Sequence, residues 1–76
     1  MPHVVVKLYA GRTEDDKSKL ADAITSAVMA ALHITRDSIS VGVEDVDPLD
    51  WKEAVYEPDI QRKANTIYKK PGYVPA

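Results

Sequence analysis

The second residue of this 76-residue chain is proline, in the order Met1-Pro2-His3-Val4-Val5-Val6. Removal of Met1 leaves Pro2 with a free secondary amine. Such an amine takes a proton or attacks a carbonyl, and an amide nitrogen inside the chain does neither. Proline also suits the first residue of a strand, where no ladder donor is required, so position alone leaves both readings open. The other groups placed to touch a small substrate are Arg12, Ser40 and Trp51. Signals for other chemistries are absent or incomplete, and a Ser-His-Asp arrangement stays open. There is no cysteine, so no thiolate metal site or disulfide. His3 and His33 are far apart in the sequence, no glycine-rich loop is present to cradle a phosphate, and no nucleophile elbow appears. No metal and no cofactor are expected.

The formal net charge is −2 with the signs interspersed. This leaves no basic footprint for nucleic acid and no polybasic patch for a membrane surface. The apolar runs are too short to span a bilayer. The first residues lack a positive segment followed by a long apolar core, and the cytoplasm is the expected compartment. A chain of this length reads as one domain over residues 1–76. It buries only roughly 60% of its unfolded surface, so association with further copies is the expected support.

The elements that must position Pro2, Arg12, Ser40 and Trp51 follow from periodicity. His3 to Tyr9 predicts a strand, with three consecutive β-branched valines suggesting burial on both faces. Ala10-Gly11-Arg12 predicts a turn. Thr13 with Asp16 three residues later predicts a helix N-terminus, and Glu14-Asp15-Asp16 reads as its acidic first turn, not a metal site. Leu20, Ile24, Val28 and Leu32, with Ala23, Ala27 and Ala31 beside them, predict one apolar stripe of a helix from about residue 14 to 32. Ser38 to Glu44 alternates and predicts a second strand, with Gly42 marking a bulge or a close backbone approach. The last third reads as helical: a short helix from Asp47-Pro48 through Trp51, Ala54 and Val55, broken at Glu57-Pro58. A further helix follows from about Asp59 to Lys69, ended by Pro71-Gly72, and then a tail over residues 73–76.

Strand, helix and strand make a β-α-β unit with parallel strands and a right-handed crossover. The fold class is α/β (α+β), with extra C-terminal helices. Two strands do not form a stable sheet alone, so a second copy is expected to complete it. A two-fold pair gives four strands carrying two helices on one face. Pro2 begins the first strand and Arg12 follows its far end, so the two need not meet within one subunit, and a neighbouring subunit can bring a second Arg12 close.

With these positions in register, the chain resembles the tautomerase superfamily built on 4-oxalocrotonate tautomerase. The resemblance rests on Pro2, an apolar strand, Gly11-Arg12-Thr13-Glu14 before an amphipathic helix, the second strand and the aromatic Trp51, and covers nearly the whole chain. The extended C-terminal third, with Lys69-Lys70-Pro71-Gly72-Tyr73, is most similar to the longer, dimeric phenylpyruvate-type tautomerases of bacteria.

The resemblance implies a cofactor-independent keto–enol isomerase in which the Pro2 amine is the general base, Arg12 holds a substrate carboxylate, and Trp51 excludes water from the pocket. At Ser40 the family archetype carries a second arginine that stabilises the developing enolate. A serine there favours a monoacid such as the enol of phenylpyruvate over doubly charged substrates. Arg36, four residues earlier, is a possible replacement or a solvated loop residue. His3 is either a modulator of the amine or a strand-edge residue, and His33 reads as a helix-end residue. The resemblance also implies a homodimer whose C-terminal helices cover the sheet face away from the helix pair. Two alternatives stay open: a decarboxylase or hydratase using the same proline, and a dimeric binding module of the same fold without turnover.

Overall fold

A computed structural model describes residues 1–75; Ala76, the end of the expected tail, lies outside the described residues. Strand β1 spans His3–Tyr9, helix α1 spans Glu14–Leu32 and strand β2 spans Ser40–Val46. The strands pair in parallel, with His3 opposite Ser40 and Tyr9 opposite Val46. One extra backbone bond extends the ladder at each end: the Ser40 N–H donates to the Pro2 carbonyl over 3.2 Å, and the Ala10 N–H to the Val46 carbonyl over 2.9 Å.

Local chemistry explains where α1 starts and stops. Gly11 has φ of +125°, a turn conformation that glycine adopts without a Cβ clash. The Thr13 hydroxyl accepts the Asp16 N–H over 3.0 Å, closing the expected cap. At the other end His33 takes the left-handed conformation (φ 56°, ψ 48°) and its N–H donates to Met29. Histidine is among the non-glycine residues that enter this region most readily. His33 is therefore the C-cap of the helix.

The helix buries a narrower face than its sequence suggests. Leu20, Ala21, Ile24, Val28 and Met29 are half-buried and Thr25 is buried, its hydroxyl bonded to the Ala21 carbonyl, while Ala23, Ala27, Ala31 and Leu32 are exposed. Two strands lie only about 5 Å apart, less than the roughly 10 Å diameter of a helix. The flank carrying the alanines overhangs the sheet, and Leu32 lies at the very end of the helix.

β2 begins two residues later than the alternation predicts, at Ser40 instead of Ser38. The short 3-10 turn Arg36–Ser38, closed by a bond from the Ile39 N–H to the Arg36 carbonyl, takes up the intervening residues. Gly42 sits in regular register opposite Val5, with no bulge, and an added Cβ there meets no atom within 4 Å.

The C-terminal third departs most from expectation. The Asp47 carboxylate caps a 3-10 turn, Pro48–Asp50, by accepting the Leu49 N–H over 2.9 Å. A π-helix then runs from Lys52–Gln61 straight through Pro58, where a break was expected. In an α-helix the proline ring clashes with the carbonyl four residues back. The wider winding shifts each bond to the residue five back, as in the 3.0 Å bond from the Arg62 N–H to the Glu57 carbonyl, and the turn proceeds with one donor missing. The expected helix from Asp59 to Lys69 is absent. Among the described residues beyond Gln61, only the 3-10 turn Ala64–Thr66 forms. Asn65 and Thr66 are weak helix formers, and the Thr66 hydroxyl bonds the Lys63 carbonyl over 2.8 Å, competing with helical continuation. Tyr68, expected on an apolar side, is fully exposed.

This segment crosses the sheet face opposite α1. Lys7 pairs with Asp59, and Tyr9 meets Trp51 edge-to-face with centroids 5.1 Å apart. The Trp51 indole N–H donates to the Tyr73 hydroxyl over 3.0 Å. The cover is partial: Val5 remains 45% exposed. Val55 is the one apolar residue among those described that is buried outright, so a single chain has very little core. No helix among the described residues is long and apolar enough to cross a membrane.

Candidate active site

The residues singled out in the sequence divide between the two ends of the sheet. At one end Pro2 is half-buried and precedes β1. Its carbonyl accepts the Ser40 N–H, so the parallel register sets Ser40 beside it. The Ser40 hydroxyl lies 2.6 Å from Nδ1 of His3. Met1 precedes Pro2 here, and the Pro2 nitrogen is an amide in this covalent state.

At the other end Arg12 follows the Gly11 turn and is exposed. It makes no ion pair among the described residues. A cavity of about 530 Å³ opens there between Leu8, Tyr9, Arg12, Asp16, Lys17 and Leu20. Lys17 is held in its wall by Asp45 at 2.7 Å and Glu14 at 3.5 Å. The hydrogen bond that Lys17 donates to Asp45 is the main reason its ammonium titrates above the usual lysine value. Trp51 is half-buried on the other side of Tyr9. Together with Lys7, Leu8, Tyr9 and Tyr73 it lines a smaller cavity of about 320 Å³. Tyr9 thus borders both cavities.

β1 has seven residues, and at about 3.3 Å per residue it separates the two ends by roughly 20 Å. One chain therefore brings Pro2 to Ser40, and Arg12 and Trp51 to opposite sides of Tyr9, but does not bring these two groups together. Arg36 joins neither. Its guanidinium pairs with Asp22 on α1 at 3.1 Å, which leaves Ser40 as the polar side chain next to Pro2 on β2.

Two features of the site were not assigned from sequence. The His3–Ser40 contact was missed because it depends on strand register, which periodicity does not reveal. Tyr73 falls in the expected tail, as an aromatic for the core or an interface, and its hydroxyl accepts from the Trp51 indole; no local pattern names that partner. Among the described residues no three His, Asp or Glu side chains are grouped so as to hold a metal ion.

Comparison with known proteins gives a consistent picture. Residues 2–54 match a family model described as "Tautomerase enzyme". The chain is 41% identical over 73 residues to a probable tautomerase of Xylella fastidiosa (strain 9a5c), covering 96% of this chain and 89% of that protein. It is 34% identical to the tautomerase PptA of Cronobacter sakazakii (strain ATCC BAA-894), covering 96% of this chain and 97% of that one. Among solved structures it is similar to TomN, a 4-oxalocrotonate tautomerase homologue in the tomaymycin biosynthetic pathway. That similarity has a TM-score of 0.64 at 25% identity, over 86% of this chain and 97% of the other.

Proposed function

The chain belongs to the tautomerase family and is an isomerase of the tautomerase type, and from that premise we propose that it interconverts the keto and enol forms of a small 2-oxo acid, with the Pro2 amine as general base. The observation that carries this reading is the position of Pro2. It is the first residue of the family match and it immediately precedes β1, its carbonyl bonded to the Ser40 N–H.

The base is the amine produced by removing Met1. It takes the enol O–H proton and returns it to the α-carbon, or runs the same path backward. A base works best when its pKa lies near the working pH. An ordinary chain-terminal amine titrates at about 7.7–8.0; an apolar surround and a nearby guanidinium both lower that value. Arg12 supplies the guanidinium and binds the substrate carboxylate through two parallel hydrogen bonds. The indole of Trp51 walls the pocket and excludes water, which strengthens the electrostatics inside it. Ser40 offers one neutral donor where a second guanidinium would serve a dicarboxylate, which favours a monoacid such as phenylpyruvate.

The two ends of the sheet, roughly 20 Å apart, meet on one small substrate only across copies of the chain. Antiparallel pairing of strand edges about a two-fold axis sets the copy's Arg12 end beside Pro2. A homodimer of this kind also places strands beneath the overhanging flank of α1.

The test is ketonisation of phenylenolpyruvate by protein whose loss of Met1 is established by intact mass. The protein accelerates it, and Pro2→Ala removes most of the rate. Equal rates for the two proteins sink the amine-base mechanism. A panel including decarboxylation and hydration of unsaturated acids tests whether the same amine serves a different reaction.

A further inference from the structure

We infer that His3 is a positioning residue for this tautomerisation: it holds the Ser40 hydroxyl with its proton turned toward the substrate oxygen. The inference rests on the reading of Pro2 as the base. Its structural ground is the 2.6 Å contact between His3 Nδ1 and Ser40 Oγ, one residue from Pro2 on one strand and bonded to Pro2 through the backbone on the other.

A hydroxyl has one proton and two lone pairs, while an imidazole nitrogen carries either a proton or a lone pair. Only one proton lies between Nδ1 and Oγ. When it belongs to Nδ1, the ring donates to Ser40 and the hydroxyl proton stays free for a third atom. When Nδ1 is bare, the hydroxyl proton is committed to the ring and Ser40 offers the substrate only lone pairs. The reaction builds negative charge on the enolate oxygen while the mobile proton is on Pro2. A donor aimed at that oxygen stabilises it; an acceptor opposes it. The productive arrangement is therefore Nδ1–H to Oγ, then Oγ–H to the substrate. Ser40 keeps its proton throughout, and the only proton transferred passes between substrate and Pro2.

Two further observations support a donor at this place. The guanidinium of Arg36 is engaged with Asp22 on α1, so it does not supply the charge that the family resemblance leads one to expect at position 40. Gly42, on the same face of β2 two residues beyond Ser40, leaves open space where a side chain would stand. The hydroxyl thus has an unobstructed floor beside it. A lone serine rotates freely and loses much of its value as a preorganised donor; the ring of His3 removes that freedom.

The experiment uses full-length protein with Met1 removed and the ketonisation of phenylenolpyruvate. Ser40→Ala lowers kcat by about 10²-fold, the lower end of the range for loss of an oxyanion donor. His3→Phe lowers kcat by roughly tenfold with KM unchanged, and has no further effect in the Ser40→Ala background, because coupled residues are non-additive. His3→Asn, whose amide N–H stands near the place of Nδ1–H, recovers most of the loss and guards against misfolding of the phenylalanine variant. The titration of the Pro2 amine, followed by NMR, is the same in His3→Phe as in the parent. Parental kcat in His3→Phe, independent effects that multiply in the double variant, or a shifted amine titration each overturn the inference. Retention of full activity by Pro2→Ala is a different failure, that of the base itself.

Discussion

The two ends of the sheet are built from different materials. At the Pro2 end the ladder closes on a single backbone bond to Ser40, and one side-chain pair, His3–Ser40, sits on it. At the Arg12 end two cavities meet at Tyr9, Trp51 packs against its ring, and Lys17 is fixed by Asp45. One end is small and open. The other is aromatic, charged and suited to holding a molecule. The strand that joins the two ends is what keeps them apart. In the reading proposed here, a second copy turned end for end supplies to each half what it lacks.

The largest expected effect tests that division directly. Pro2→Ala removes the base and lowers kcat by about 10²–10⁴-fold. Arg12→Ala leaves the base intact and weakens binding of the carboxylate. Loss of a charge-assisted hydrogen bond costs about 1.5–3 kcal/mol, so KM rises by roughly ten- to a hundredfold. The two variants are then unfolded together and refolded as a mixture. If each site takes its base from one chain and its guanidinium from the next, mixed oligomers contain an intact site and activity returns. Absence of recovery, with mixed oligomers verified by mass, breaks the comparison by placing the whole site within one chain.

A smaller effect sharpens the contrast in stability. Trp51→Ala removes the ring that Tyr9 packs against and the indole N–H that bonds the Tyr73 hydroxyl. Fully buried rings cost about 3–5 kcal/mol on truncation; Trp51 is half-buried, and about 2 kcal/mol is expected. For a domain of this size that lowers Tm by roughly 8–16 °C, measured at fixed protein concentration. Tyr73→Phe loses only the hydrogen bond to the indole, worth about 0.5–1 kcal/mol. Ser40→Ala, at the other end, removes no packed ring and changes Tm less than Trp51→Ala does. The reverse ranking contradicts the view that the chain is anchored at the Arg12 end.

Much of this was legible in the sequence, and what was not shares a cause. The bounds of β1 and α1 follow from consecutive valines, the Gly11 turn and the Thr13 cap, all local signals, and the structure agrees with them. β2 was displaced by two residues because the turn at Arg36–Ser38 has no apolar period. Beyond Asp47 local signals mislead. Pro58 reads as a break until the π-winding accommodates it. The run from Asp59 to Lys69 reads as a helix, yet Asp59 is drawn to Lys7 on the sheet and the chain beyond Gln61 unwinds. The sequence offers the candidate residues as types but not as neighbours. That His3 faces Ser40, and that Trp51 shares an end with Arg12, are consequences of strand register and of a chain crossing the sheet.

The smallest expected effect concerns the charges that tie these parts together. Lys7 and Lys17 both titrate above the ordinary lysine value of 10.5, chiefly through hydrogen bonds to Asp59 and Asp45 respectively. A group whose folded pKa is raised stabilises the fold fully below its unfolded pKa, and that contribution is lost as pH rises through the folded value. The lysine contribution is therefore complete at neutral pH, begins to fall near pH 10.5, and is gone above the folded values. Both pairs are only partly buried and still reach solvent, so the drop in Tm is modest and salt reduces it. Lys17→Met removes the Asp45 part and Lys7→Met the Asp59 part, each flattening the alkaline decline of Tm. Lys17 also borders the Arg12 cavity, so its deprotonation withdraws a positive charge from the end assigned to carboxylate binding. KM then rises over the same alkaline range in the parent and stays flatter in Lys17→Met, while Lys7→Met behaves as the parent in KM. An identical rise of KM in all three proteins would detach Lys17 from the site and leave it a purely structural clamp between α1 and β2.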